Sequence, residues 1–211
     1  MTSQYGEDHT MFNSQVGQEH FVLKSLNYKR NGYFLDIGSH HPKYISNTYL
    51  LEKNYGWNGL MVEYDDKWEQ SYKDKRTSHY IIEDATKVDY LSLFKKYSFP
   101  ANMDYLQIDL EVDNGSTINV LDLLDSTVFK HHTFSTVTFE HDFYRGDFFN
   151  TRARSREIFE RNGYVMVFSD VRNFEDWWVY PAFVNMEYIK KVRSVDKVND
   201  EHEVVKKIYS A

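Results

Sequence analysis

The chain has 211 residues, 41% of them apolar, with 15 Phe, 17 Tyr and 4 Trp, no Cys, and 25 basic against 32 acidic side chains. This length suits one domain with a core burying about 70% of the unfolded surface, and a charged fraction of 27% excludes a disordered or fibrous chain. The lack of Cys excludes disulfides, thiolate metal sites and cysteine nucleophiles, and a formal charge of −7 repels phosphate backbones, so no nucleic-acid partner is expected.

Residues 1–14 carry neither a basic region nor an apolar stretch and are expected to form a mobile N-terminal segment. No apolar run reaches the roughly 18 residues of a membrane span, which points to a cytoplasmic protein without one. Apolar runs then alternate with segments of helical period, the pattern of a layered α/β domain. Strands are predicted at 33–37, 59–63, 79–83, 105–109 and 135–140, with helices at 46–55, 90–97, 117–125 and 152–162. The glycines Gly56 and Gly163 are placed to close two of these helices. Beyond them, 164–168 and 178–184 read as antiparallel strands, and 190–211 as a charged, peripheral C-terminal helix. No linker interrupts this order, so 1–211 reads as a single domain; a homo-oligomer is compatible with it.

In parallel sheets, ligands bind beyond the carboxyl ends of the strands. Acidic residues fall at those ends: Asp36, Glu63, Asp84, Asp109 and Glu140. A carboxylate closing the second strand is the usual partner of ribose hydroxyls, because two vicinal OH groups match its two oxygens. The loop after the first strand is GSHHP, and one glycine without clustered amides disfavours a pyrophosphate-bearing nicotinamide or flavin. A nucleoside without phosphates fits better.

NSQVGQEHFVL, the long run GYFLDIGSHHPKYISNTYLLEKNYGWNGLMVE, and then MDYLQIDLE, STVTFEHDFY and FEDWWVYP follow one another along the chain. In these stretches the sequence resembles the FkbM family of S-adenosylmethionine-dependent methyltransferases, apart from Pro42, where ordinary versions of the loop carry a second glycine. The resemblance implies a Rossmann-like class I methyltransferase fold, α/β, with a mostly parallel seven-stranded sheet flanked by helices. It implies S-adenosylmethionine as cofactor, with Gly38 and Ser39 at its methionine part, Asp36, Asn47 and Thr48 shaping the pocket and Asp109 also among the cofactor-binding residues. Glu63 would bind the ribose, Asp84 and Ala85 the adenine edge, and Gln18 would reach the site from the N-terminal segment.

Methyl transfer is an in-line displacement on a sulfonium, so the protein must align the acceptor and help a hydroxyl lose its proton. A general base contributes roughly 10² to 10⁴ in rate. His141, whose ordinary pKa near 6.5 suits neutral pH, is the first candidate, oriented by Asp109 and accompanied by Glu140. The alternative device is a divalent metal held by Asp109, Glu140 and His141, with imidazole favouring zinc, manganese or iron over magnesium. The expected reaction is O-methylation of a small-molecule or glycan acceptor. N-methylation and a non-catalytic binding module of the same fold are the rival readings. Arg145, Arg152, Arg154, Arg156 and Arg161 form the only dense basic stretch, read as a solvated helix face.

Overall fold

The computed structural model describes residues 13–211. Of the expected mobile segment, residues 1–12 lie outside the described residues, while Asn13 and Ser14 are fixed: both donate backbone N–H groups to Glu19 Oε1, at 2.7 and 3.1 Å. Ser14 Oγ in turn accepts the N–H groups of Gly17 and Gln18, fixing the segment that leads into helix α1 (Gln18–Ser25), whose N-cap is Gly17.

The seven strands are β1 (Tyr33–Ile37), β2 (Asn58–Glu63), β3 (His79–Ile82), β4 (Asn102–Ile108), β5 (Thr133–Glu140), β6 (Val165–Val171) and β7 (Glu175–Val179). They form one sheet in the order β3-β2-β1-β4-β5-β7-β6. The first five strands pair in parallel; β7 is antiparallel to both β5 and β6, as the closeness of the last two strands in sequence predicts. Alternation within each strand divides the interior into two cores. Leu35, Ile37, Leu106, Ile108 and Phe139 face one core with helices α4 (Tyr90–Lys96), α5 (Ser116–Ser126) and α6 (Thr151–Arg161). Phe34, Met61, Tyr105 and Trp177 face the other, with α1, α2 (Tyr49–Tyr55), α3 (Glu69–Lys75), α7 (Met186–Val192) and α8 (Glu201–Ser210).

Two elements differ from expectation. Helix α3 has no counterpart in the predicted order, because only Tyr72 of its seven residues is buried and one apolar position makes no periodic signal. The expected peripheral helix over 190–211 is instead the end of α7, a connecting segment and α8, and α8 is part of the fold. Val204 and Ile208, four residues apart on its inner face, are fully buried, and Lys24 Nζ of α1 donates to the carbonyl of Ile208 at 2.7 Å. No helix among the described residues is long and apolar enough to cross a membrane.

Candidate functional site

The chain leaves β1 toward β2 and β3 on one side and returns through β4 on the other, so the switch point of the sheet lies beyond the carboxyl ends of β1 and β4. A cleft of about 330 Å³ opens there, lined by Gly38, Glu63, Asp109, Glu140, Asp142 and Arg145 among others. It adjoins a second recess of about 380 Å³ that includes Asp84, Ala85 and Ser116; Tyr64, Leu110 and Glu111 line both. Four of the five strand-end carboxylates read from the sequence are thus brought together, Glu63, Asp109 and Glu140 in one recess and Asp84 in the next, while Asp36 borders neither.

Local geometry explains how. Gly38 turns the chain out of β1 with φ +80°, its N–H bonded to the Val62 carbonyl at 2.9 Å, while Asp109 N–H bonds Ile37 O at 3.0 Å. Glu63 accepts three backbone N–H groups, from His40 at 2.7 Å, Tyr64 at 3.0 Å and Asp65 at 2.9 Å, so it ties the loops after β1 and β2 and keeps one of its roughly four lone-pair sites free. Asp84 caps the turn at Ala85–Lys87 through Thr86; the Thr86 hydroxyl, then Lys87, hold its carboxyl at about 2.

Other residues expected at the cofactor lie behind the cleft wall. Thr48 Oγ1 donates to Asp36 Oδ2 at 2.6 Å, and Ser39 Oγ meets the Tyr72 hydroxyl at 2.7 Å; all four are buried. Asn47 is half-buried and borders neither recess. Gln18 is buried, and its side-chain amide donates to Glu175 Oε1 at 2.8 Å, on β7 directly opposite Glu140.

His141 departs from expectation. Successive strand residues point to opposite faces, and here Glu140 faces the cleft while His141 turns into the interior, with a fully buried side chain. Its Nδ1 accepts the Phe143 N–H at 3.2 Å, which places the proton on Nε2, 3.6 Å from Asp170 Oδ1 and 3.5 Å from Asp176 Oδ1. The expected metal set of Asp109, Glu140 and His141 is therefore not assembled.

Among the described residues the group that meets metal-ligand spacing is His141, Asp170 and Asp176, but its oxygens are already engaged. Asp170 Oδ1 accepts Arg152 Nε at 2.5 Å and Arg156 Nη2 at 3.0 Å. Asp176 Oδ1 accepts the Asp170 N–H at 2.7 Å and Arg156 Nη2 at 2.8 Å. With two donors on each facing oxygen and two guanidinium charges balancing two carboxylates, the cluster does not fit a further cation. Burial alone would raise the Asp176 carboxyl; Arg156 and His141 outweigh it and hold it at about 2. Arg152 and Arg156, expected on a solvated face, are the clamps of this network.

The cleft floor has the opposite electrostatics. Burial raises the Asp109 carboxyl, and Glu140, within hydrogen-bonding reach, shares its proton with it. Glu140 is raised further, by burial and then by the Asp109 charge. Like charges this close cannot both ionise, so the pair holds one proton at neutral pH. Burial also pushes Asp36 up to about 6 and Glu175 up to about 7.

Carboxyls raised in the folded state bind protons more tightly there than in the unfolded chain, so their contribution favours folding below about pH 4 to 5 and weakens as pH climbs through the folded values. Asp84 and Asp176, both lowered, destabilise only when protonated, below about pH 4. The melting temperature is expected to peak near about pH 5 and fall toward pH 7.5, with Glu175→Gln flattening the fall. A melting temperature that rises steadily over that range would contradict the assignment.

No family model and no curated protein sequence matches the chain. Solved structures do. A candidate rRNA-methylase from Clostridium thermocellum aligns with a TM-score of 0.51 at 14% identity, over 80% of this chain and 98% of that one. A SAM-dependent methyltransferase from Archaeoglobus fulgidus aligns at 0.45 and 17% identity, over 81% and 80%. Human methyltransferase 10 domain containing protein aligns at 0.47 and 13%, over 77% and 79%. With its strand order, mostly parallel sheet and terminal antiparallel hairpin, the chain has the Rossmann-like class I methyltransferase fold.

Proposed function

We propose that the protein is a cytoplasmic S-adenosylmethionine-dependent methyltransferase of the FkbM type that methylates a hydroxyl of a small molecule or glycan. The observation that carries this reading is the switch-point cleft, which gathers the strand-end carboxylates Glu63, Asp109 and Glu140 beyond the carboxyl ends of a sheet with the methyltransferase strand order.

The cleft fits the cofactor's charge: its floor is acidic, and Asp142 Oδ1, buried in its wall, lacks a protein N–H donor. Bound S-adenosylmethionine supplies an electrophilic methyl group on a sulfonium. Glu63 holds the ribose with its remaining lone pair, Ala85 offers a small surface beside the adenine, and Gly38 lets the backbone come close to the methionine part. Asp36, Thr48 and Ser39 support that loop from within.

Asp109 is the ionised member of its pair and takes the acceptor proton. Its raised pKa makes it a stronger base than an ordinary aspartate, and the neutral Glu140 donates a hydrogen bond that keeps it in place. His141 stays outside this proton path and fixes the turn that carries Asp142.

Calorimetric titration with S-adenosylhomocysteine is expected to show one equivalent bound, and Glu63→Ala to weaken that affinity by about tenfold or more, 1.4 kcal/mol. A folded wild-type protein that binds neither S-adenosylhomocysteine nor S-adenosylmethionine would remove the reading.

A further inference from the structure

The two margins of the sheet differ. At β6 the chain covers its own edge with the segment 194–199: Ser194 N–H bonds Val167 O at 2.7 Å, Ser169 N–H bonds Ser194 O at 3.2 Å and Arg172 N–H bonds Asn199 O at 2.9 Å. At β3 no segment among the described residues does so, and β3 pairs with β2 alone. Glu83 N–H bonds Glu63 O at 2.8 Å. The alternation of a parallel ladder then turns the Ile81 backbone toward β2 and leaves the N–H and C=O groups of Tyr80 and Ile82 facing outward. Natural edges are commonly blunted by Pro or Lys, and the strand HYII carries neither.

This open edge is the floor of a groove of about 740 Å³ that shares no lining residue with the two recesses of the cleft. The groove runs between the start of α3 and the start of α4. Tyr80 and Ile82 pack into the core on the α3 side, and Ile81 into the core on the α4 side. Asp66 and Glu69 line the first wall, Val88, Asp89 and Leu93 the second. The lysines nearby are engaged: Lys67 with Asp65, Lys73 with Glu69 at 2.8 Å and Lys87 with Asp84 at 2.9 Å. Asp66, Glu83 and Asp89 have no ion-pair partner among the described residues, so the groove keeps a net negative charge.

An extended segment laid along this edge gains main-chain hydrogen bonds from Tyr80 and Ile82, and its successive side chains fall on opposite walls. Cations suit the wall of Asp66 and Glu69; branched apolar side chains suit the wall of Val88 and Leu93. Two other occupants bring the wrong charge. A second copy of β3 would set these carboxylates against themselves, and residues 1–12 hold Glu7 and Asp8 but no Lys or Arg. We infer that the β3 groove docks a segment of another protein, bound as an added edge strand in which basic and apolar residues alternate. This holds whatever the cleft catalyses.

The test is fluorescence anisotropy of the full chain with a labelled, end-capped octapeptide of alternating arginine and valine. It is expected to bind about tenfold or more tightly than an octapeptide of four arginines followed by four valines, and than one alternating glutamate with valine. An edge partner uses the N–H groups of one alternate set alone. N-methylation of either the arginines or the valines should therefore weaken binding by about tenfold, and N-methylation of the other set should spare it. Asp66→Asn combined with Glu69→Gln should reduce the preference for arginine over glutamate. Hydrogen exchange of the unaltered protein supplies a readout that needs no variant: bound peptide should slow the amides of Tyr80 and Ile82 and leave that of Ile81, already bonded to β2, unchanged. No binding, equal binding of the alternating and block peptides, equal effects of the two methylated sets, or protection of Tyr80 and Ile82 by raised protein concentration without peptide would each overturn the inference.

Discussion

Gly38→Ala is expected to leave no protein that binds S-adenosylhomocysteine, and to lower stability by more than about 3 kcal/mol. A Cβ at this position would stand 1.7 Å from the Asp109 carbonyl oxygen and 2.8 Å from its carbon. Those are backbone atoms and cannot rotate away. Relief requires the ends of β1 and β4 to separate, which breaks the bond from Asp109 N to Ile37 O, one of the contacts that shape the cleft. The φ of +80° adds the ordinary left-handed penalty on top. Gly56→Ala is the internal control: its φ is also positive, at +70°, but the nearest obstacle is the Asn31 side-chain oxygen at 2.8 Å, which can move, so a loss of about 1 kcal/mol is expected. Thermal melts of the two variants check this directly, and equal losses would contradict it.

The second large effect lies behind the loop that follows β1. Arg76 is fully buried and bonds Glu52 Oε2 at 3.0 Å, Thr48 Oγ1 at 3.0 Å and the Pro42 carbonyl at 3.2 Å. Burial opposes ionisation of Glu52, yet Arg76, aided by Lys53 and Ser78, holds that carboxyl at about 2. Arg76→Met is expected to cost about 3 to 5 kcal/mol at neutral pH, because it strands a buried carboxylate. The deficit should shrink as pH falls below about 4.5, where the unfolded glutamate already takes up protons and the native pair loses its advantage. Denaturant melts at pH 7 and at pH 4 give both numbers. A pH-independent loss would mean that Arg76 acts by packing alone. Arg76 also holds Thr48, the partner of Asp36, so a weaker affinity for S-adenosylhomocysteine should accompany the loss.

The parallel half of the fold was legible because its signals are local. The run YFLDI gives the same β1 from its alternation as from its hydrogen bonds, and a strand that stops at a carboxylate marks where the chain turns out of the sheet. The carboxylates at the cleft could be gathered on paper for the same reason. The direction of His141 could not, because it is set by distant partners: the N–H groups of His141 and Asp142 both bond Phe174 O, in the turn between β6 and β7. Arg152 and Arg156 misled similarly, since their pairing with Asp170 and Asp176 spans residues that no period connects. Helix α8 carries Val204 and Ile208 at a helical spacing, a signal present in the sequence but masked by the charges around it. Asp142, buried in the cleft wall, had only its place two residues after Glu140 to mark it.

The place of β7 bears on how the polypeptide is made. It follows β6 in the chain but lies between β5 and β6 in the sheet, pairing with both. During synthesis, β1 to β5 can assemble as soon as residue 140 is available, and one flank of β5 then presents unpaired amides and carbonyls. β6 cannot cover it, having no partner other than β7 in the sheet. That flank closes only when residues 175–179 have left the ribosome and slotted in as the two-stranded hairpin folds. Until then a nascent chain carries an open template for intermolecular strand addition, so slow translation through residues 141–174 should favour aggregation, and chaperone dependence should be greatest over that interval.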